Sequence, residues 1–268
     1  MDTMIDTTAA PAAAPAAVAP RRPARIRSYW LEAKYEFVRL LRTPMFAVPT
    51  IAFPALFYLL FGVALGSRGD GQAAQYLLAT YGVFGVMGAA LFGFGVSIAV
   101  ERTQGLLALK RALPMPPGAY LLAKMAMAML FSTLVSLLLL LLAASLGGVV
   151  LDPWQWALLP AIHVAGALPF CAMGLYLGTR VSANAAPVVV NLLYLPMAFL
   201  SGLWLPLRVL PDALAAAAPV WPAYHHAQLA LKVVGMDAGG SIALHVLVLV
   251  AFTAVFFGLA RARLARRG

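Results

Sequence analysis

The sequence predicts an all-α membrane protein with six transmembrane helices, and two features of its composition carry this prediction. Of the 268 residues, 63% are hydrophobic and 10% are charged, whereas soluble domains carry about 25% charged residues. Six windows without a charged side chain are each long enough for a bilayer-crossing helix, which needs about 20 apolar residues. These windows cover residues 43–67, 71–100, 125–151, 153–179, 181–207 and 238–260.

Each window holds one predicted span, and the rest of the chain divides around the spans. We place the spans approximately at residues 45–67, 76–100, 122–148, 155–179, 184–206 and 239–260. Residues 1–24 form an Ala/Pro-rich tail without the apolar run of a secretory signal, so we expect a disordered cytosolic segment. Residues 25–268 form one transmembrane domain. Within it, prolines divide the outer segment 207–237 into short helices that dip into the membrane or pack over the spans.

An amphipathic helix is predicted at residues 25–42, directly before the first span. Charged side chains cover most of one side of this helix. Its other face carries apolar and aromatic residues, namely Ile26, Tyr29, Trp30, Ala33, Phe37, Leu40 and Leu41. A basic, aromatic-bearing helix of this kind lies in the plane of the membrane interface, so we call it the interface helix.

The distribution of positive charge predicts the orientation of the chain. If the N-terminus is inside, the inner segments hold 16 of the 19 Lys and Arg residues. The outer loops then hold only Arg68, Arg208 and Lys232. Because cytoplasmic loops carry the excess of Lys and Arg, both termini are predicted in the cytosol, as an even number of spans also requires.

The inner segment at residues 101–118 combines charges, leucines and prolines. Leu106, Leu109 and Leu113 follow helical i, i+3, i+7 spacing, and a proline-rich stretch ends the pattern at Pro114. The pattern alone leaves two interpretations open. One is a short amphipathic helix at the inner membrane face, and the other is a loop that only anchors two spans by its charge.

Motifs for chemistry are absent from the sequence. It has no G-x-x-x-x-G-K-[ST] for a nucleotide phosphate, no H-E-x-x-H, and a single cysteine, Cys171. We therefore expect no catalytic residue, no metal site and no nucleic-acid partner. A carboxylate in the middle of a span, which a proton- or sodium-coupled carrier commonly uses, is also missing.

Polar and small residues inside the spans leave alternatives open. His163 and His245 are either functional groups or neutral side chains bonded to a neighbouring helix. The adjacent His225 and His226 diverge by roughly 100° on a helix, which makes them poor joint metal ligands. Small residues four positions apart allow helices to pack closely, within one subunit or between subunits. They are Gly62 and Gly66, then Gly85, Ala89 and Gly93, and then Gly174 and Gly178.

Two segments carry a resemblance to a known family over roughly residues 25–268. The stretch "ERTQGLLALKRALPMPPGAYLLAK" follows span two, and "FLSGLWLPLRVLPDALAAAAPVWPAY" follows span five. Together they resemble the signatures of ABC-2-type transporter permeases, the membrane subunits of ABC exporters. The resemblance implies an ABC-2 (type V exporter-like) architecture, in which the loop after span two docks on a separate ATP-binding subunit. The residues carried over to that role are Glu101, Arg102, Leu106, Leu109, Lys110, Arg111 and Leu113.

The resemblance also implies the mechanism and the partners. Two permease copies, expected as a homodimer in the lipids of the plasma membrane, would export an apolar or amphipathic cargo by alternating access. ATP and Mg²⁺ would be bound by the partner subunit, with no cofactor in this chain. Candidates that line the pathway are Phe92, Phe94, Asn191, Tyr194, Met197 and Phe199. The alternatives are a membrane-embedded lipid-modifying enzyme and a secondary transporter.

Overall fold

A computed structural model describes residues 25–66, 71–106, 109 and 119–266, and these residues form helices joined by short connections without any strand. The predicted all-α membrane fold is confirmed for this part of the chain. The predicted N-terminal tail lies outside the described residues. The helices in chain order are α1 (Arg25–Leu41), α2 (Pro44–Phe57), α3 (Gln72–Thr103), α4 (Ala119–Ser145), α5 (Pro153–Ala165), α6 (Ala167–Arg180), α7 (Ala186–Leu200), α8 (Asp212–Ala217), α9 (Pro222–Val233) and α10 (Ile242–Arg266).

Five helical stretches in the described ranges are long and apolar enough to cross a membrane. They are Phe46–Ala64, Gln72–Thr103, Leu121–Ser145, Pro153–Arg180 and Ile242–Arg263. The first continues α2 through a π-helical segment, Tyr58–Ala64. The fourth joins α5 and α6, which are separated only at Gly166.

Helix α7 is shorter than the fifth span that the sequence predicts. It has 15 residues and ends at Leu200, before the predicted end at 206. Gly202 follows with a φ of 76°, a left-handed conformation that glycine adopts at little cost. The chain therefore turns out of the helix while its composition is still apolar.

Helix α3 lies at the centre of the bundle. In its most apolar window 78% of the residues are buried, against 11% for the span within α10. It packs most extensively against α6, where small residues bring the two backbones together. A Cβ atom added at Gly178 would lie 2.8 Å from the carbonyl oxygen of Gly95. At this pair of helices, the small-residue spacing serves packing within the subunit.

Helix α1 packs along α4 at one end of the bundle. The ring of Phe37 lies 5.2 Å from that of Phe131, and Phe46 of α2 contacts Phe131 edge-on at 5.1 Å. Trp30 and Tyr35, which lie nearer the start of α1, stay 62% and 66% exposed. The interface helix is thus fixed to the bundle along one face and leaves two aromatic side chains uncovered.

Candidate functional site

A group of four charged side chains and one serine joins three helices where α3 ends and α4 begins. Glu36 and Arg39 come from α1, Ser97 and Glu101 from the last turns of α3, and Lys124 from the first turns of α4. We call these five residues the charge network. It lies on both flanks of the 101–118 segment, because α3 leads into that segment and α4 leaves it.

Lys124 is the centre of the charge network. Its ammonium Nζ donates to Oε1 of Glu36 at 2.5 Å, to Oε1 of Glu101 at 3.0 Å and to Oγ of Ser97 at 2.8 Å. These three bonds use the full donor capacity of an ammonium group. The Ser97 hydroxyl in turn donates to the carbonyl of Gly93, one turn earlier in α3.

Arg39 joins the network from its outer side. Its Nη2 donates to Glu36 at 2.7 Å and to Glu101 at 2.6 Å. Burial disfavours the charged guanidinium, but the two carboxylates outweigh this effect and raise the pKa of Arg39. The five residues of the network thus include two carboxylates and two cations.

The charge network gives Glu101 its partners. The structure pairs this carboxylate with Lys124 and Arg39. Glu101 and Lys124 are both 0% exposed, and charges buried this deeply are tolerated only when they are paired and hydrogen-bonded. Sequence reasoning missed Glu36 and Arg39, although their i, i+3 spacing on α1 was a usable signal.

Arg102 extends the same connection to a fourth helix. Its guanidinium donates to the carbonyl oxygens of Thr179 at 2.8 Å and Val181 at 2.6 Å. Both carbonyls lie at the C-terminal end of α6, where helix carbonyls lack intrahelical donors. Arg102 therefore ties the end of α3 to the end of α6.

The structure places the predicted docking residues in two different settings. Glu101 and Arg102 belong to the last turn of α3, which continues to Thr103. Gly105 has a φ of 72°. Beyond it Leu106 is half-buried and Leu109 is 60% exposed. Lys110, Arg111 and Leu113 lie outside the described residues, and docking by this segment stays a prediction.

The candidate pathway residues separate into packed and exposed side chains. Tyr194 of α7 stacks on Phe84 at 4.9 Å between ring centroids and donates its hydroxyl to the Phe84 carbonyl at 3.1 Å. Phe92 contacts the edge of the same tyrosine at 5.7 Å. Phe94 and Met197 are buried in the subunit core.

The two remaining candidates flank this cluster. Phe199 lies against Trp204, with ring centroids 6.4 Å apart, whereas Asn191 is exposed on the surface of α7. The structure brings Phe92 and Tyr194 together. A role of any of the six residues in a pathway stays a prediction.

Comparison with known proteins identifies the family. The sequence model of the ABC-2 type transporters matches residues 27–234. The chain belongs to the ABC-2 type transporter family. A protein of Bacillus subtilis (strain 168) named "Putative transport permease YvfS" is 30% identical over 228 residues, which cover 84% of this chain and 92% of that protein. The chain is thus the membrane subunit of a transporter, in a family that works with an ABC ATP-binding subunit.

The histidines of this ABC-2 permease are bonded to neighbouring helices. His163 of α5 contacts the carbonyl oxygen of Ala79 through Nε2 and the hydroxyl of Ser136 through Nδ1, both at 2.9 Å. Since a carbonyl only accepts, Nε2 carries the proton, and in the neutral ring that burial favours Nδ1 accepts from the serine. The sequence left open whether His163 is a functional group or a neutral side chain bonded to a neighbouring helix. The contacts of His163 agree with the second alternative.

A second pair of histidines joins α9 to α10. Nδ1 of His225 lies 2.9 Å from Nδ1 of His245, and Nε2 of His225 donates to the carbonyl of Pro219 at 2.9 Å. In the described part of the chain, no three His, Cys, Asp or Glu side chains come together as a metal site would require.

His226 predicts a pH dependence of stability. Its Nε2 donates to the carbonyl of Ile162 at 3.1 Å, while Nδ1 is buried without a partner among the described residues. Burial first, and the neighbouring His163 second, lower the pKa of His226 from 6.5 to about 3. Below pH 6.5 the unfolded chain therefore binds a proton at His226 that the folded protein does not bind. The free energy of unfolding falls as the pH drops from 6.5 toward 3.

We expect His226→Gln, which keeps a donor but cannot titrate, to lose less stability than the wild type between pH 7.5 and 5. Thermal unfolding in detergent micelles, followed by circular dichroism, measures this difference in slope. Equal slopes for both proteins would show that His226 is not a source of the pH dependence.

Proposed function

We propose that this chain is the membrane subunit of an ATP-driven exporter, and that the 101–118 segment receives the movement of the ATP-binding subunit. The observation that carries the proposal is the charge network. It binds both flanks of that segment to each other and to α1. A docked partner that displaces the segment would move these three helices together, because separating buried opposite charges costs several kcal/mol.

The contact of Arg102 supports the same proposal. Through the carbonyl oxygens of Thr179 and Val181, Arg102 joins α6 to the three helices of the charge network. Helix α6 is also the helix against which α3 packs most extensively. A displacement at one end of the bundle is then passed to α3 and α6, whose backbones approach closely at Gly95 and Gly178. Reorientation of these spans would alternate the access of a pathway between the two sides of the membrane.

The remaining parts of the function follow from the family and from charge. ATP and Mg²⁺ bind to the partner, and this chain supplies docking and passage without catalysis of its own. The excess of Lys and Arg in the inner segments favours cytosolic termini, and the similarity to a bacterial permease favours a bacterial plasma membrane. A second permease copy would complete the pathway, and the aromatic and methionine candidates beside α7 favour an apolar or amphipathic cargo.

Replacing residues 105–113 by a Gly/Ser linker of equal length should abolish coupling. We expect the cognate ATP-binding subunit to co-purify with the wild type and not with the linker variant. ATP hydrolysis in nanodiscs should fall to the level of the isolated ATP-binding subunit. The physical reason is the loss of the helical leucine spacing, which a flexible linker cannot reproduce.

The control replaces α8, a six-residue helix beyond α7, by a Gly/Ser segment of the same length. This variant should retain the partner and its hydrolysis. If the 105–113 linker variant still held the partner and supported full hydrolysis, the docking role of this segment would be wrong.

A further inference from the structure

A pocket of about 910 Å³ opens at the end of the bundle opposite the charge network. Its walls come from the first turns of α3, the chain that follows α7, and the end of α9 with the loop after it. About 20 residues of α3 separate it from Ser97, which corresponds to roughly 30 Å along a helix axis. The volume falls within the range of about 300–1,000 Å³ that is usual for small-molecule sites.

Hydrogen bonds between different elements hold the walls of this pocket in place. Tyr76 donates its hydroxyl to the carbonyl of Gly202 at 2.6 Å. Gln75 donates to the carbonyl of Val234 at 2.9 Å, and Oε1 of Gln228 accepts from the backbone N–H of Ala238 at 2.8 Å. The pocket is therefore formed before any ligand arrives, and a ligand would not have to order the walls.

The lining combines an apolar body with a few polar groups. Its apolar and aromatic members include Phe61, Leu77, Trp204, Leu231 and Met236. The indole N–H of Trp204 is buried and has no acceptor in the described part of the chain. Such a mixed lining suits a molecule with a large apolar part and a polar end.

The charges at the pocket select the sign of that polar end. Among the described residues, Asp237 is the carboxylate of the lining, and Lys232 donates to it and holds the pKa of Asp237 below its usual range. Arg208 also lines the pocket, and no carboxylate in the described part of the chain pairs with it. Among the described residues that line the pocket, the exposed guanidinium of Arg208 is thus the charge without a counter-ion, and it favours an anionic group.

We propose that this pocket binds a drug-sized acidic amphiphile, with its carboxylate or phosphate on Arg208 and its apolar part along Trp204 and Leu231. The proposal does not depend on the coupling role of the 101–118 segment, since it concerns the opposite end of the bundle. Fork-shaped guanidinium groups bind carboxylates and phosphates in a bidentate way.

Quenching of Trp204 fluorescence tests the proposal. The protein is placed in phosphatidylcholine nanodiscs at pH 8, with Trp30, Trp154, Trp156 and Trp221 replaced by phenylalanine. 11-Bromoundecanoic acid should quench Trp204 saturably, whereas its uncharged methyl ester should quench only in proportion to its concentration in the bilayer. Arg208→Gln should weaken the apparent affinity for the acid by about tenfold, as expected for one lost charge-assisted contact, and Arg208→Lys should weaken it less.

The matched control is Arg42→Gln, an exposed arginine beside α1 at the other end of the bundle, which should leave quenching unchanged. A photoreactive fatty acid with a diazirine group gives an independent readout on the chain with all its tryptophans. It should label peptides that contain residues 204–208 or 228–238, and Arg208→Gln should reduce this labelling. The proposal would be overturned if the acid and the ester quenched equally. It would also be overturned if Arg208→Gln bound the acid with the same apparent affinity as the protein that keeps Arg208.

Nanodiscs that contain phosphatidylglycerol identify the source of the ligand. If an anionic membrane lipid occupies the pocket, phosphatidylglycerol should compete with the bromo acid and raise its apparent Kd. If the ligand arrives as a free amphiphile, the Kd should not depend on this lipid. Both results support an acidic amphiphile and assign it to one of the two sources.

Discussion

Replacing Lys124 by methionine should lower the free energy of unfolding by about 3–5 kcal/mol, the usual cost of removing one partner from a buried ion pair. Methionine has a similar length, so the packing of α4 is largely retained and the loss is electrostatic. Glu36 and Glu101 would then lose the buried cation that they share, at 5% and 0% exposure, and Arg39 would be their remaining cation among the described residues. Denaturant unfolding in detergent micelles measures the change.

A triple variant separates the charge effect from a packing effect. Lys124→Met combined with Glu36→Gln and Glu101→Gln removes both carboxylates that Lys124 balances and should recover at least half of the lost stability, since neutral groups are cheaper to bury. The control Lys34→Met changes an exposed lysine of α1 and should shift stability by less than about 0.5 kcal/mol. If the triple variant were no more stable than Lys124→Met, repulsion between the carboxylates would not explain the loss.

The same set of variants reads out the proposed coupling. In the triple variant the fold should persist while α1, α3 and α4 are no longer bound by opposite charges. We expect the ATP-binding subunit to remain attached and ATP hydrolysis in nanodiscs to fall. Unchanged hydrolysis in a stable triple variant would show that the charge network only stabilises the fold.

Gly178→Leu is the second substitution with a large expected effect. It should lower the free energy of unfolding by about 3 kcal/mol, which is at the upper end of the usual range for overpacked cores. The added Cβ would lie 2.8 Å from the backbone oxygen of Gly95 and 2.9 Å from Cβ of Ile98. A backbone oxygen cannot rotate away as a side chain can, so α6 would have to move away from α3. The midpoint of thermal unfolding in micelles should fall accordingly.

Gly258→Leu is the matched control. Gly258 lies in α10, and a Cβ atom built there meets nothing within 4 Å. Because glycine is a poor helix former by about 1 kcal/mol relative to alanine, this variant should be as stable as the wild type or slightly more stable. Equal stability of Gly178→Leu and Gly258→Leu would contradict close packing of α3 against α6.

Local pattern was sufficient for most of the helices. A run of apolar residues predicts a span wherever it occurs, since the bilayer imposes the same length on each. The expected break after the fifth span was harder to locate. Residues 201–206 are still largely apolar, and Gly202 ends α7 by adopting a left-handed conformation, which composition does not report.

The candidate site could be predicted only in part. The charges and leucines of the 101–118 segment are contiguous in sequence, and the resemblance to ABC-2 permeases pointed to them. The partners of Glu101 are far away along the chain. Arg39 is 62 positions and Lys124 is 23 positions from it, so their meeting depends on how α1 and α4 pack around the end of α3.

The sequence by itself determined that this chain is a helical membrane protein and a member of its family, because hydropathy and motif spacing act along the chain. Only the tertiary structure decided which buried charges pair, which histidines stay neutral, and where a pocket opens beside Arg208. These features arise from contacts between helices, and such contacts depend on distances in space that no local pattern encodes.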